Sequence, residues 1–509
     1  MSKAKVNFKF LHSNLDNSCP KFLRTILSLL SLWTLRVLKK GGYVMPKNNE
    51  TKYFEEAFEL PNPGLRSYFG NVVKGQPKVY DTPFAKGEST QHMLSAWEEI
   101  LVSISNEWPS LWEFEQDLKS KVGPLSVMLP LDERMDDIEA YYTGVSNQSS
   151  PISLKAEKAV LAEWNKALGL RVRSQSATVK LMKKSTNSGS PYFTKRRLVT
   201  DKTLPILGIH PQDDFVDQYL DDGTRAYRAA AILGWRGQEG GYSKEDVKQR
   251  VVWMFPYAVN IEELRVYQPL IEAAQKFNIV PAWVSMESVD RAITKLFDTK
   301  SSDDLIVVTD FTKFDQHFNR SLQDCAQYLL DGIYTNNFDW KRWKSDIFRI
   351  KYMIPMAYNY GKVKFGEHGM GSGSGGTNAD ETLAHRALQY EAAQAKGAML
   401  NPHSMCLGDD GILSYPGITV DDVVRSYTSH GLEMNDSKQY ASTQDCTYLR
   451  RWHHNKYRIN GVCAGVYSTF RALGRLRYTE RFYDPEIWSK EMVNLRYLSI
   501  LENVKYHPL

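Results

Sequence analysis

Two aspartates five residues apart, Asp310 and Asp315, and an adjacent pair, Asp409 and Asp410, are the side chains whose type and setting suit chemistry on phosphate. Carboxylates are hard oxygen donors, and a cluster of them suits Mg2+, the ion of in-line phosphoryl transfer. Asp310 closes the run Leu305-Ile306-Val307-Val308-Thr309, whose branched apolar residues mark a strand buried on both faces. Asp409 and Asp410 stand between the short apolar runs Met405-Cys406-Leu407 and Ile412-Leu413. Gly408 and Gly411 flank them, so the segment has hairpin syntax with glycines supplying turn freedom. If the strands are neighbours, the carboxylates meet. The structural alternatives are a solvated loop for Asp310 and Asp315 and a plain surface hairpin for the other pair.

Between these pairs lies the glycine-rich stretch Gly369 to Asn378, which feeds the helix formers Ala379 to Ala393. Thr377 or Asn378 is the expected N-cap, and the loop's amides suit close approach to phosphates or bases. The stretch lacks the G-K-[ST] of a P-loop and the preceding strand of a dinucleotide fold, and a flexible linker is its alternative reading.

These residues must be positioned by a chain of 509 residues, long enough for about three domains. Apolar, aromatic and charged contents of 42%, 12% and 24% exclude a mainly disordered or fibrous protein. Five scattered cysteines without C-x-x-C spacing suggest neither a disulfide framework nor a zinc knuckle, and fit a reducing cytosol. The net charge of +5 hides a segregation. Gly169 to Lys202 carries nine Lys/Arg against one acid, and Cys446 to the C-terminus eleven against five, as expected of groove walls that bind a polyanion. Phe22 to Leu38, interrupted by Arg24 and Arg36, is short for a membrane span. It reads as an amphipathic helix packed on the body, with a membrane-surface anchor as the weaker reading. Helical periods at His92–Leu101 and Leu154–Leu168 alternate with apolar runs at Val251–Phe255 and Leu305–Val308, which predicts an α+β class.

In order, the motifs resemble those of viral RNA-directed RNA polymerases. Asp310-x-x-x-x-Asp315 is similar to motif A, Ser372-Gly373-x-x-x-Thr377 to motif B and Gly408-Asp409-Asp410 to motif C. Gly431-Leu432-Glu433-Met434 with Lys438 resembles motif D, and Tyr448-Leu449-Arg450-Arg451 motif E. Thr186 to Tyr192 resembles the template-entry motif G, and Lys248-Gln249-Arg250 the basic end of motif F. The wording DFTKFDQHFN, GSGGTNADETLAHRAL and LGDDG is most similar to picobirnavirus polymerases, with partitivirus polymerases as neighbours; either implies a segmented double-stranded RNA genome.

The resemblance implies a right-hand fold with an antiparallel palm sheet backed by helices. Its expected parts are an extension over 1–45, fingers over 46–250, a palm over 251–450 with a fingers insertion at about 338–368, and a thumb over 451–509. Asp310, Asp409 and Asp410 are the implied catalytic and metal-binding residues, with Lys438 as general acid toward pyrophosphate. The cofactor would be two Mg2+ ions, with Mn2+ able to substitute. Asp315, Ser372, Gly373, Thr377, Asn378, Lys248 and Arg250 are the implied nucleotide-binding residues, Asp315 accepting from the ribose 2′-OH. Ser188, Gly189, Pro191, Lys195, Arg196, Arg197, Arg450 and Arg451 are the implied RNA contacts. Many relatives place asparagine where this chain has Glu381; Asn378 shares that helix face, so either could assist ribose recognition. The implied partners are template and product RNA, ribonucleoside triphosphates and viral capsid protein, in the virion interior and host cytoplasm. Reverse transcriptase is disfavoured by Leu407-Gly408 before the aspartate pair. A non-catalytic RNA-binding core protein would have no reason to keep Asp310, Asp409, Asp410 and Lys438.

Overall fold

The computed structural model of the chain describes residues 63–212, 215–219, 225–435 and 439–509. The expected extension over 1–45, its helix at 22–38 and Lys438 lie outside the described residues. No helix among the described residues is long and apolar enough to cross a membrane.

Along the chain, β1 (Gly208–Gln212), β2 (Phe215–Tyr219) and β3 (Arg225–Ala229) form one antiparallel sheet. Strand β4 (Ala231–Gln238) pairs antiparallel with β5 (Lys248–Met254), and β6 (Ile306–Thr309) follows after two long helices, Tyr257–Phe277 and Met286–Thr299. The hairpin β7 (Met356–Asn359) and β8 (Lys362–Lys364) adds to β4 through a parallel β4–β7 pairing, so the segment between the two aspartate pairs returns to the sheet that carries Arg250. Next come the hairpin β9 (Met405–Leu407) and β10 (Asp410–Leu413), then β11 (Tyr440–Ser442). With β6 they form an antiparallel sheet in the order β11-β6-β10-β9. The strands β12 (Asp445–Tyr448), β13 (Arg451–His454) and β14 (Val466–Tyr467) make a further antiparallel sheet.

The expected double-sided burial of β6 is present, because successive side chains of a strand point to opposite faces. Ile306 joins Met405 and Ile412 against Val289, Ile293 and Leu296 of the Met286–Thr299 helix. Val307 and Leu413 join the main core with Leu383 and Ala387 of the Thr377–Ala395 helix and Leu322 and Leu329 of the Arg320–Ile333 helix. Each such aliphatic side chain contributes about 1.5–3 kcal/mol on burial, so the strand that ends in Asp310 is clamped from both sides.

A separate apolar cluster joins distant parts of the chain. Leu94, Leu101, Leu111, Phe114 and Leu118, from the Thr90–Leu101 and Pro109–Ser120 helices, pack with Trp452, Val466, Phe470 and Tyr478. Beside it the buried Glu115 accepts from the Ser468 hydroxyl at 2.6 Å, the Thr469 amide at 2.8 Å and the Phe470 amide at 3.3 Å, satisfying the start of the Thr469–Arg477 helix. Burial opposes its ionisation, but hydrogen bonds from His507, Ser468 and Thr469 outweigh that and hold its carboxyl below the usual range.

Candidate active site

The antiparallel register pairs Thr309 with Gly411 and Val308 with Ile412. Continued by one residue, it sets Asp310 opposite Asp410. Leu407 pairs with Asp410, leaving Gly408 and Asp409 as a two-residue turn in which Gly408 takes φ +59°, the left-handed first position of a II′ turn. Gly411 is glycine for another reason than turn freedom. A Cβ there would lie 2.6 Å from the His385 ring and 2.8 Å from the Thr309 hydroxyl.

The Thr377–Ala395 helix orients the turn through both backbone groups of Gly408. The Gly408 amide donates to the Thr382 hydroxyl at 2.9 Å, and its carbonyl meets His385 Nδ1 at 2.8 Å. Burial pushes the His385 pKa down to about 4, so the ring is neutral near pH 7 and its Nδ1–H donates. Asp310 is held by a residue that local patterns did not single out. The Gln439 side chain accepts from the Asp310 amide at 3.0 Å and donates to the Asp310 carbonyl at 2.7 Å.

Asp310, Asp409 and Asp410 are open to solvent, yet the protein around them desolvates the last two. Burial, with Asp315 and Asp310 nearby, raises the Asp409 carboxyl. Burial, with Asp409 and Asp310, pushes Asp410 up to about 7. Such mutual repulsion is what a bound cation relieves. Among the described residues no three carboxylate, imidazole or thiol groups close around one point. That is compatible with Mg2+, which is commonly held by one or two carboxylates, waters and the phosphates of a substrate.

Asp315 lies in the short Phe314–His317 helix, buried, with the Arg250 guanidinium 2.5 Å from its carboxylate. Attraction to Asp315 outweighs desolvation and holds Arg250 firmly protonated. Glu381 is buried beneath the turn. Burial and the adjacent Asp315, with Asp409 further off, raise its carboxyl well above the usual range. Asn378 and Glu381 do share a face, for each lies 3.4 Å from where a Gly408 Cβ would stand. Asn378 is exposed and accepts from the Trp283 indole at 2.7 Å.

The glycine-rich stretch is pinned rather than flexible. Gly373 takes φ +137°, and a Cβ there would collide with the Trp253 carbonyl at 1.9 Å. The Ser372 carbonyl accepts from the Trp253 amide at 2.9 Å. The amides of Gly369, Met370, Gly371 and Gly375 donate to Tyr141, Asp315, Lys351 and Glu263, so they are spent on the protein and not on a phosphate. The helix begins at Thr377 with Gly376 as N-cap, and the Thr377 hydroxyl donates to the Ser374 carbonyl at 3.3 Å; neither Thr377 nor Asn378 caps it.

A family profile described as viral RNA-dependent RNA polymerase matches residues 241–463. A potential RNA-dependent RNA polymerase of human picobirnavirus (strain Human/Thailand/Hy005102) is 59% identical over 459 residues, covering 89% of this chain and 84% of that protein. The chain belongs to the viral RNA-dependent RNA polymerases. Within them it groups with picobirnavirus enzymes. The crystal structure of the RNA-dependent RNA polymerase of a human picobirnavirus superposes with a TM-score of 0.88 at 57% identity, covering 92% of this chain and 88% of that one. The insertion loop deletion mutant of such a polymerase gives 0.87 at 57% identity, covering 92% and 90%. The right-hand polymerase fold follows.

The basic residues of this polymerase divide by what they touch. Lys195, Arg197 and Lys248 are exposed, and Pro191 is half-buried. Ser188 and Gly189 are buried. Ser188 is bonded to Thr194 and Tyr257 through its backbone, and a Cβ on Gly189 would meet the Phe255 carbonyl at 2.7 Å, so this turn braces the chain rather than presenting side chains to a strand. Arg196 donates to Asn260 at 2.7 Å and stacks over Tyr257 at 5.1 Å. Arg451 is buried and donates to Asp290 at 2.9 Å and to the Gly465 carbonyl at 2.7 Å. In this conformation Ser188, Arg196 and Arg451 are thus engaged by protein groups. Arg450 is exposed at the β12–β13 turn, where Leu449 and Arg450 both take positive φ, the pattern of a type I′ turn. It shares Glu239 with Arg471 and Arg475, an acid that sequence patterns did not bring forward.

Proposed function

We propose that this polymerase copies template RNA into RNA from ribonucleoside triphosphates with two divalent cations, Mg2+ or Mn2+, held by Asp310 and Asp409 with Asp410 in support. The β6–β10 register carries this reading, because it brings Asp310 beside the aspartate pair from a segment about a hundred residues away. Bound cations would polarise the transferred phosphate and favour ionisation of the attacking 3′-hydroxyl. The protein's part is to hold two carboxylates in fixed positions through Gln439, Thr382 and His385, so that little reorganisation accompanies reaction. Asp315, already oriented by Arg250, would accept from the ribose 2′-OH, with Asn378 or Glu381 nearby. Lys248 and Arg250 would meet the triphosphate, Ser372, Gly373 and Thr377 would shape the nucleotide's floor, and Lys438 would protonate pyrophosphate.

In this reading fingers span 46–250 with the insertion at about 338–368, palm 251–450 and thumb 451–509. Pro191, Lys195, Arg197 and Arg450 lie along the RNA path. The enzyme would replicate and transcribe a segmented double-stranded RNA genome, in the virion interior beside capsid protein and in the host cytoplasm. Incorporation of labelled nucleotide on a homopolymer template tests the chemistry. Asp310→Asn and Asp409→Asn are each expected to lower it by about a thousandfold or more while RNA affinity stays within about twofold. Chelation should abolish it, and Mg2+ or Mn2+ restore it. Full activity in either variant would end the metal assignment.

A further inference from the structure

A cavity of about 710 Å3 is lined by Met405 and Cys406 of β9, the edge strand of the sheet that carries the aspartates. Its volume lies within the range of about 300–1,000 Å3 usual for ligand sites. Lys166, Arg291 and Lys295 stand in its wall, exposed and without an ion pair among the described residues. The one acid in the wall, Glu163, is taken up by Arg386 at 2.6 Å and by the Tyr390 hydroxyl at 2.5 Å. The cavity therefore offers three cations and no free carboxylate, the electrostatics of a phosphate-binding surface. It also offers an aromatic face. Phe277 is 37% exposed at its edge, with Lys276 Nζ 5.2 Å from the ring centroid. Cations interleaved with an exposed ring are how proteins hold single-stranded nucleic acid, the phosphates on the charges and a base on the ring. The cavity reaches the catalytic turn through Thr382, which lines it and also accepts the Gly408 amide.

We propose that this cavity is a second nucleotide-binding site outside the catalytic cleft, taking a segment of single-stranded RNA with its phosphates on Lys166, Arg291 and Lys295 and a base on Phe277. The choice of RNA over free nucleotide, whose base and phosphates have the same chemistry, rests on the polymerase reading.

The test uses the full chain and two probes, a fluorescein-labelled oligouridylate and a fluorescent ATP analogue, read by anisotropy against salt. The double variant Lys166→Glu with Lys295→Glu is expected to bind the RNA about tenfold or more weakly. Its log–log salt slope should be shallower by about 1.4, at about 0.7 per phosphate contact on a single strand. Phe277→Ala should weaken RNA binding about tenfold with the slope unchanged. Reversal of Lys155 and Lys158, exposed residues outside the cavity, is the control for net charge and should do less than the Lys166 and Lys295 pair. Thermal melts verify folding, and single-nucleotide addition on a saturating preannealed primer–template should be unchanged. RNA affinity and slope at wild-type values in both cavity variants overturn the proposal. A loss confined to the ATP analogue overturns the RNA assignment in favour of free nucleotide. If the oligouridylate effects appear while the wild-type protein incorporates no nucleotide, the site stands and the polymerase chemistry fails.

Discussion

The Arg250 guanidinium donates to the Asp315 carboxylate at 2.5 Å, tying β5 to the short Phe314–His317 helix that follows β6. The carboxylate is buried while the arginine is 44% exposed on its side chain, so the pair presents a cation to the cleft and keeps the anion beneath it. An incoming nucleotide would meet Arg250 first. The two residues therefore act as a unit, with Asp315 fixing the fork of Arg250.

Asp315→Ala should lower both incorporation rate and the preference for ribo- over deoxyribonucleotides. Arg250→Ala should raise KM for the nucleotide. Because the partners touch, a double-mutant cycle on kcat/KM should give a coupling of about 0.5–3 kcal/mol. Additive losses would show that the pair is not maintained in the working enzyme, and unchanged sugar preference in Asp315→Ala would move that role to Asn378 or Glu381.

Gln439 grips the backbone of Asp310 from both sides, and each hydrogen bond contributes about 1 kcal/mol. Gln439→Ala is expected to lower kcat about tenfold or more, with RNA affinity unchanged and a higher Mg2+ concentration needed for half-maximal rate. A wild-type Mg2+ titration would show that Asp310 is positioned by β6 alone.

Gly373→Ala places a methyl group within 1.9 Å of the Trp253 carbonyl oxygen at φ +137°. Backbone strain of this kind costs about 1–3 kcal/mol before the collision is counted, so melting temperature and incorporation should both fall. Gly70→Ala is the contrasting control. It lies in the Pro63–Lys74 helix with nothing within 4 Å of its Cβ, and should stabilise by about 0.5–1 kcal/mol. Equal melting temperatures for the two variants would contradict the pinned loop.

Burial pushes Glu157 up to about 7 from 4.5, with Glu391 and Asp324 adding repulsion and a Cys325 hydrogen bond opposing the rise. A raised carboxyl favours the folded state below the unfolded pKa and loses that advantage as pH climbs to the folded one. Glu157→Gln should therefore gain melting temperature relative to wild type as pH rises from 4.5 to about 7, the gain levelling above. Differential scanning calorimetry across pH 4–8.5 checks it, and a gain independent of pH would show that burial does not raise Glu157 in the folded protein.

Several features were legible in the chain itself because they are encoded within about ten residues. The branched run Ile306–Val308 reads as a strand buried on both faces and Leu407 to Ile412 as a hairpin, which sets the carboxylates at a strand end and a hairpin tip. The order of short motifs likewise named the family before any contact was known. The pairing of side chains across long separations was not encoded locally. Arg450 and Arg451 are adjacent and chemically alike, yet one is exposed and the other buried on Asp290, since Arg450 stands in the turn and Arg451 begins β13. Glu381 reads as a helix-face acid until the β9–β10 turn is seen above it, and the glycines of 369–376 read as freedom until Trp253 and Glu263 are seen to crowd them. Local periodicity and turn chemistry thus determined the elements and their carboxylates. Only the packed fold decided which charges neutralise one another and which face the cleft, because that depends on how loops return segments far apart in sequence to one place.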